Sequence, residues 1–186
     1  MCPGIEAGGH AKVDTPPVFA LVSSILNALP GPREDATPVI AAGGITNGAQ
    51  VAAYLALGAA GAAMGTRFLL TPESLLTEQQ KAALAAAQGT VRTQAFDQYR
   101  NTPWPGGIDG RGLKNKMVED IEGGADLSTV RQKGAEGAKS GEADYAIMFA
   151  GTGVGDIHAV QDTQVSRFDA HATTESHVTT FFLRKS

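Results

Sequence analysis

The chain has 186 residues, 42% of them hydrophobic, a formal net charge of −4 and one cysteine, Cys2. That length and apolar content suit a single globular domain, the acidic balance gives no footprint for nucleic acid, and one cysteine excludes a disulfide framework or a cysteine-based zinc site. No apolar run reaches the length of a membrane span and Met1–Gly4 has no leader character, so the expectation is a cytoplasmic protein with no membrane partner.

In chain order, Ile5-Glu6-Ala7-Gly8-Gly9-His10 comes first, a glycine-rich stretch whose supporting strand is missing or a stub. Thr15-Pro16-Pro17 reads as a helix start with Thr15 as candidate N-cap. Val18, Leu21, Val22, Ile25, Leu26 and Leu29 then form a stripe at helical spacing that Pro30-Gly31-Pro32 stops. After a surface loop at Arg33-Glu34-Asp35, Pro38 to Ala42 is a short buried strand ending in Gly43-Gly44. An Ala-rich helix from Ala49 to Leu57 follows, closed by Gly58, and Gly61 to Phe68 is a second strand with a Gly65-Thr66 turn. Strand, helix, strand with short loops predicts a βαβ unit with parallel strands.

Beyond Thr71, a candidate cap, an Ala-rich helix is expected over Leu75 to Ala87. Thr90 to Phe96 reads as extended, Asn101 to Gly112 as a loop holding Trp104, Leu113 to Ile121 as amphipathic, and Leu127 to Lys139 as a polar helix. Asp144 to Ala150 leads into Gly151-Thr152-Gly153-Val154-Gly155, a glycine-rich turn that lacks the long strand a dinucleotide site requires. From Gln161 to Ser186 only Val178 to Leu183 has strand character, and this tail is expected to be poorly specified, open to disorder.

The chemistry concentrates in two turns and one histidine. A glycine turn before a helix offers backbone N–H groups and a favourable dipole to an anion, but Gly43-Gly44 alone reads equally as a plain turn. Its pairing with Gly65-Thr66 on the next parallel strand favours a phosphate seat, as between late strands of a (β/α)₈ barrel. Arg67 either adds charge there or points to the surface. His10 sits beside a glycine pair, where an imidazole can take an acidic C–H proton at neutral pH; the bland alternative is a structural histidine. His158, His171 and His177 lack supporting context, and no histidine pair has metal-ligand spacing with a carboxylate.

Taken together, Glu6-Ala7-Gly8-Gly9-His10, Pro38 to Ile45, Met64-Gly65-Thr66-Arg67-Phe68, Arg111-Gly112-Leu113-Lys114-Asn115 and Gly151 to Gly155 resemble the nitronate monooxygenases, formerly 2-nitropropane dioxygenases. The resemblance runs from about Ile5 to Val160. It implies an FMN-dependent TIM barrel with a helical segment, oxidising alkyl nitronates with oxygen to a carbonyl compound and nitrite. It makes His10 the catalytic base, sets Ala7, Gly8 and Gly9 beside the flavin ring and ribityl chain, and gives the phosphate to Gly43, Gly44, Gly65 and Thr66.

A complete barrel takes about 250 residues, so the expectation is an α/β chain holding only the last parallel strands of an incomplete FMN-binding TIM barrel. Residues 1–70 are the barrel portion, 71–142 a helical segment, 143–160 a closing Gly-rich segment and 161–186 an atypical tail. Such a truncated chain brings its own activity into question and leaves its oligomeric state open. The alternatives are an FMN-dependent enoyl-acyl-carrier-protein reductase-like enzyme, or a non-catalytic truncated pseudoenzyme.

Overall fold

The computed structural model describes residues 2–30 and 37–163. The expected loop at Arg33-Glu34-Asp35, most of the expected tail, and its Val178 to Leu183 strand lie outside the described residues.

In chain order the first elements are β1 (Cys2–Pro3), β2 (Gly9–Lys12), α1 (Val18–Ala28), β3 (Ile40–Ala42), α2 (Gly48–Leu57), β4 (Gly61–Ala63) and α3 (Thr66–Leu69). Then come α4 (Glu78–Ala86), β5 (Val91–Thr93), α5 (Ala95–Arg100), β6 (Ile108–Gly112), α6 (Lys116–Glu122), α7 (Leu127–Ser140) and a 3₁₀ turn at Thr152–Asp156. The strands form two open sheets, β1-β3-β4 and β2-β6-β5. The protein is therefore α/β.

The first sheet is parallel, with Pro3 opposite Ala42 and Ala42 opposite Ala63. The expected βαβ unit is present as β3-α2-β4, and the stub before the glycine-rich stretch is β1. Ala41 is fully buried, and its small side chain lets α1 pack against β1 and β3 through Val18 and Val22. Helix α2 starts where Asn47 accepts from Gln50 N–H in a reciprocal capping box, and stops at Gly58, whose φ of 110° is left-handed.

Several expectations are corrected. The second strand stops at Ala63, and Thr66 to Leu69 is a helical turn, because Arg67 is drawn inward to the Ala159 carbonyl at 3.2 Å. Thr15 does not cap α1; the Glu6 carboxylate does, accepting from Val18 N–H at 2.9 Å across the chain. Helix α4 begins at Glu78, capped by Thr77, while Thr71 is buried and donates to the Phe68 carbonyl.

The largest correction lies in the stretch expected to be helical and looped. Ile108 to Gly112 is a strand at the centre of an antiparallel sheet, flanked by β2 and β5. Ile108-Asp109-Gly110-Arg111-Gly112 has no apolar alternation because two of its inward positions are glycines. A Cβ on Gly112 would meet the Met148 carbonyl oxygen at 2.6 Å, and one on Gly110 would meet Phe96 at 3.0 Å. The period-2 signal is erased by packing.

Behind this sheet α5, α6 and α7 close around Phe96, Met117, Val118 and Val130, a core separate from the cluster of Leu70, Leu84, Met148 and Val154. No helix among the described residues is long and apolar enough to cross a membrane.

Candidate active site

His10 lies on β2 directly opposite Gly110 of β6, so the imidazole rests over a position with no side chain. Its Nε2 is 2.6 Å from Asp97 Oδ1, with only 15% of the His10 side chain and 8% of the Asp97 side chain exposed. Asp97 is set in the first turn of α5, which β5 leads into through Gln94. The ring stacks on Trp104 at 4.6 Å with 19° between planes, and meets Phe149 edge-on at 5.3 Å. Phe149 is in turn held by Phe96, and the Arg100 guanidinium lies over its ring at 5.4 Å from the centroid.

Trp104 reaches the histidine because α5 ends abruptly at Asn101, which adopts φ 54°, ψ 42° and reverses the chain. On the outer side a cavity of about 310 Å³ opens between Asp97, Asn101, Trp104, Ile108, Leu127 and Arg131. Its walls mix aromatic and aliphatic carbon with amides, a composition suited to a small organic molecule.

The stretch leading into His10 is braced from below. The Ile5 carbonyl accepts from Arg92 Nη2 and Arg111 Nε, both at 3.1 Å, and Arg92 Nη1 donates to the Ala11 and Asp109 carbonyls. Burial pulls the Arg111 guanidinium below its ordinary pKa, the neighbouring Arg92 adds to that, and Glu6 opposes it. For Arg92 burial acts in the same direction and Asp109 opposes it. Both half-buried guanidiniums hold main-chain carbonyls, and Arg111 Nη1 also donates to the Thr90 hydroxyl.

Three loops converge beside this stretch. Gly43 and Gly44 have φ of 112° and 69°; a Cβ on Gly43 would sit 2.9 Å from Ala7 N, and one on Gly44 2.9 Å from Thr152 Oγ1. Gly8 approaches Ala150, and Gly153 approaches the Gly44 carbonyl, as closely. The Thr66 hydroxyl accepts from the buried Gly151 N–H at 2.8 Å, and Thr152 N–H donates to the Glu6 carbonyl at 2.9 Å. Ala7, Gly8, Gly43, Gly44 and Thr66 are thus brought together, with Gly151 to Gly153 as the keystone between them.

Gly65 and Gly9 differ from Gly8, Gly43, Gly44, Gly151 and Gly153, since nothing lies within 4 Å of a Cβ at either position. Arg67 neither faces this cluster nor the surface: it is buried, donating to the Ala159 carbonyl and to Gln161.

The family model for nitronate monooxygenase matches residues 1–163. The chain belongs to the nitronate monooxygenase family. It is 36% identical over 173 residues to nitronate monooxygenase npaC of Metarhizium robertsii, covering 87% of this chain and 48% of that protein. Among solved structures it is similar to nitroalkane oxidase from Streptomyces ansochromogenes, with a TM-score of 0.74, 28% identity, and coverage of 96% of this chain and 52% of the other. FabK from Thermotoga maritima superposes with a TM-score of 0.69 at 25% identity, over 97% of this chain and 55% of that one. The chain spans about half the length of the relatives it matches.

In this family member the sequence alone points to His10 but not to Asp97, Gly110 or Phe149, and marks Trp104 only as a loop residue. Asp97 carries no motif of its own. The one available signal is a carboxylate placed directly after a core phenylalanine, Phe96, in a helix too short to show a period.

Proposed function

We propose that this chain carries the base and the phosphate seat of an FMN-dependent nitronate monooxygenase, in which β1, β3 and β4 form an arc of a TIM barrel. The observation that carries the reading is the enclosure of His10: an imidazole clamped between Trp104 and Phe149, hydrogen-bonded among the described residues at one nitrogen only, at the end of the stretch that also meets the glycine turns.

The residues present fit a phosphate-bearing cofactor. Gly65 leaves open space above its Cα, and the Thr66 hydroxyl, having accepted from Gly151 N–H, keeps its own proton to donate. Gly43, Gly44, Gly65 and Thr66 would hold the phosphate, and Ala7, Gly8 and Gly9 would border the ring and ribityl chain. FMN, when bound, supplies the electron transfer between nitronate and oxygen.

His10 takes the proton wherever a neutral nitroalkane is the substrate. The C–H bond breaks, its electron pair delocalises onto the nitro group, and an N–H bond forms on the imidazole. Trp104 and Phe149 keep the ring fixed and shield it from water, so the proton acceptor is oriented before substrate arrives.

The test uses the purified chain with FMN and propyl-2-nitronate, without reduced nicotinamide. The expected result is saturable FMN binding, weakened at least tenfold by Gly65→Asp, a change that fits sterically but sets a carboxylate against the phosphate. Oxygen uptake with nitrite release would extend the reading to catalysis by this chain alone. FMN binding unchanged by Gly65→Asp, or none in wild type, would overturn the phosphate seat. Bleaching of bound flavin by NADH would favour the reductase-like alternative.

A further inference from the structure

His10 has two ring nitrogens, and only one of them can serve as a base in the neutral ring. The hydrogen bond to Asp97 decides which. An ionised carboxylate can only accept, so the nitrogen it faces must be the one carrying hydrogen. That nitrogen is Nε2, 2.6 Å from Oδ1. Nδ1 has no hydrogen-bond partner among the described residues, so its lone pair is left for an incoming proton.

We propose that Asp97 is a positioning residue that locks His10 as the Nε2–H tautomer and thereby makes Nδ1 the basic atom. This rests on the reading of His10 as a base, but its geometry stands independently of any cofactor. Three features make the lock strong. Asp97 is nearly fully buried, so water competes poorly for its oxygen. The stacking of Trp104 and the edge of Phe149 oppose reorientation of the ring. Gly110 leaves room beneath the imidazole for the orientation that reaches Asp97.

When Nδ1 takes a proton, the imidazolium that forms is already paired through Nε2–H with a carboxylate. The positive charge is stabilised where it develops, and Asp97 itself does not change protonation. An asparagine at position 97 could still accept through its carbonyl, but its amide could equally donate to Nε2 and shift the hydrogen to Nδ1.

The decisive measurement is the ¹⁵N chemical shift pair of the His10 ring in the chain without cofactor, assigned by its disappearance in His10→Gln. The spectrum is read at a pH high enough that the ring is neutral, and the expected form there has hydrogen on Nε2. A ring with hydrogen on Nδ1 would overturn the proposal without any variant being needed. In Asp97→Asn the Nε2–H signature should be diluted or inverted, and Asp97→Glu should restore it in part; an unchanged tautomer in Asp97→Asn would also overturn it.

Where activity is measurable, Asp97→Asn should lower kcat on a neutral nitroalkane by about 10²–10⁴-fold and leave turnover of the preformed nitronate within a few-fold, because no C–H proton is then taken. Equal losses on both substrates would reduce Asp97 to a structural role. Absence of all activity beside the expected tautomer would count against the proposed function and not against the lock.

Discussion

His10 stands across the β2–β6 ladder from Gly110, and a Cβ at position 110 would lie 3.0 Å from Phe96 Cδ2, 3.1 Å from Phe149 Cε1 and 3.5 Å from His10 Nε2. The absence of one side chain therefore creates the space in which the imidazole and two phenyl rings meet.

Gly110→Ala should push on rings that have nowhere to go, since Phe96 is fully buried. The expected cost is about 1–3 kcal/mol, the range for overpacking a well-filled core. Urea unfolding followed by tryptophan emission reads it directly, because Trp104 is the only tryptophan and lies against His10. Wild-type stability with an unchanged emission spectrum would show that the three rings can yield.

Glu6 ties the glycine stretch to the parallel sheet by capping α1 at Val18 N–H. Glu6→Ala removes the cap and the favourable charge at the helix start, and should destabilise the chain by about 0.5–2 kcal/mol. Glu6→Gln keeps an acceptor and should recover most of the loss. Hydrogen exchange at Val18 separates the two: faster exchange is expected in Glu6→Ala, and unaltered exchange there would mean that the cap contributes nothing.

Thr66 gives the same kind of control over the three-loop junction. Thr66→Val preserves shape but leaves the buried Gly151 N–H without its 2.8 Å acceptor, at an expected cost of about 1–3 kcal/mol. Thr66→Ser should be nearly neutral. The comparison by thermal unfolding isolates the hydroxyl, and equal midpoints for the valine and serine variants would contradict the assignment.

The parallel half of the fold was legible because its signals are local. The β3-α2-β4 unit follows from an apolar run, a glycine turn and Gly58 at the helix end, each acting within a few residues. The antiparallel half was not. Strand β6 replaces inward side chains with Gly110 and Gly112 so that Phe96, Phe149 and Met148 can approach, and a strand whose buried face is backbone leaves no period to read. The same asymmetry holds at the candidate site. His10 announces itself beside Gly8-Gly9, whereas Asp97 is 87 positions away in sequence and acquires meaning only through the pairing of both β2 and β5 with β6. Gly43 and Gly44 show a further limit: composition marks them as permissive, but their proximity to Ala7 and Thr152 reveals that they also admit neighbouring loops.

Acid should loosen the helical layer behind the antiparallel sheet through Asp120. Its carboxylate on α6 accepts from Lys133 Nζ on α7 and from Tyr145 Oη, each at 2.9 Å. The Lys133 hydrogen bond, then that of Tyr145, holds the carboxyl below its ordinary value of 3.8. A carboxyl depressed in the folded state contributes stability that is fully present above the unfolded value and is lost as pH falls through the folded one. Asp120→Asn should therefore unfold at lower urea than wild type at pH 7, and the gap should close as pH falls below 3.8. Because these groups are solvent-exposed, added salt should shrink the gap at pH 7 as well. A gap that persists undiminished in acid would mean that the asparagine variant perturbs packing rather than charge, and would remove Asp120 as the source of the pH dependence.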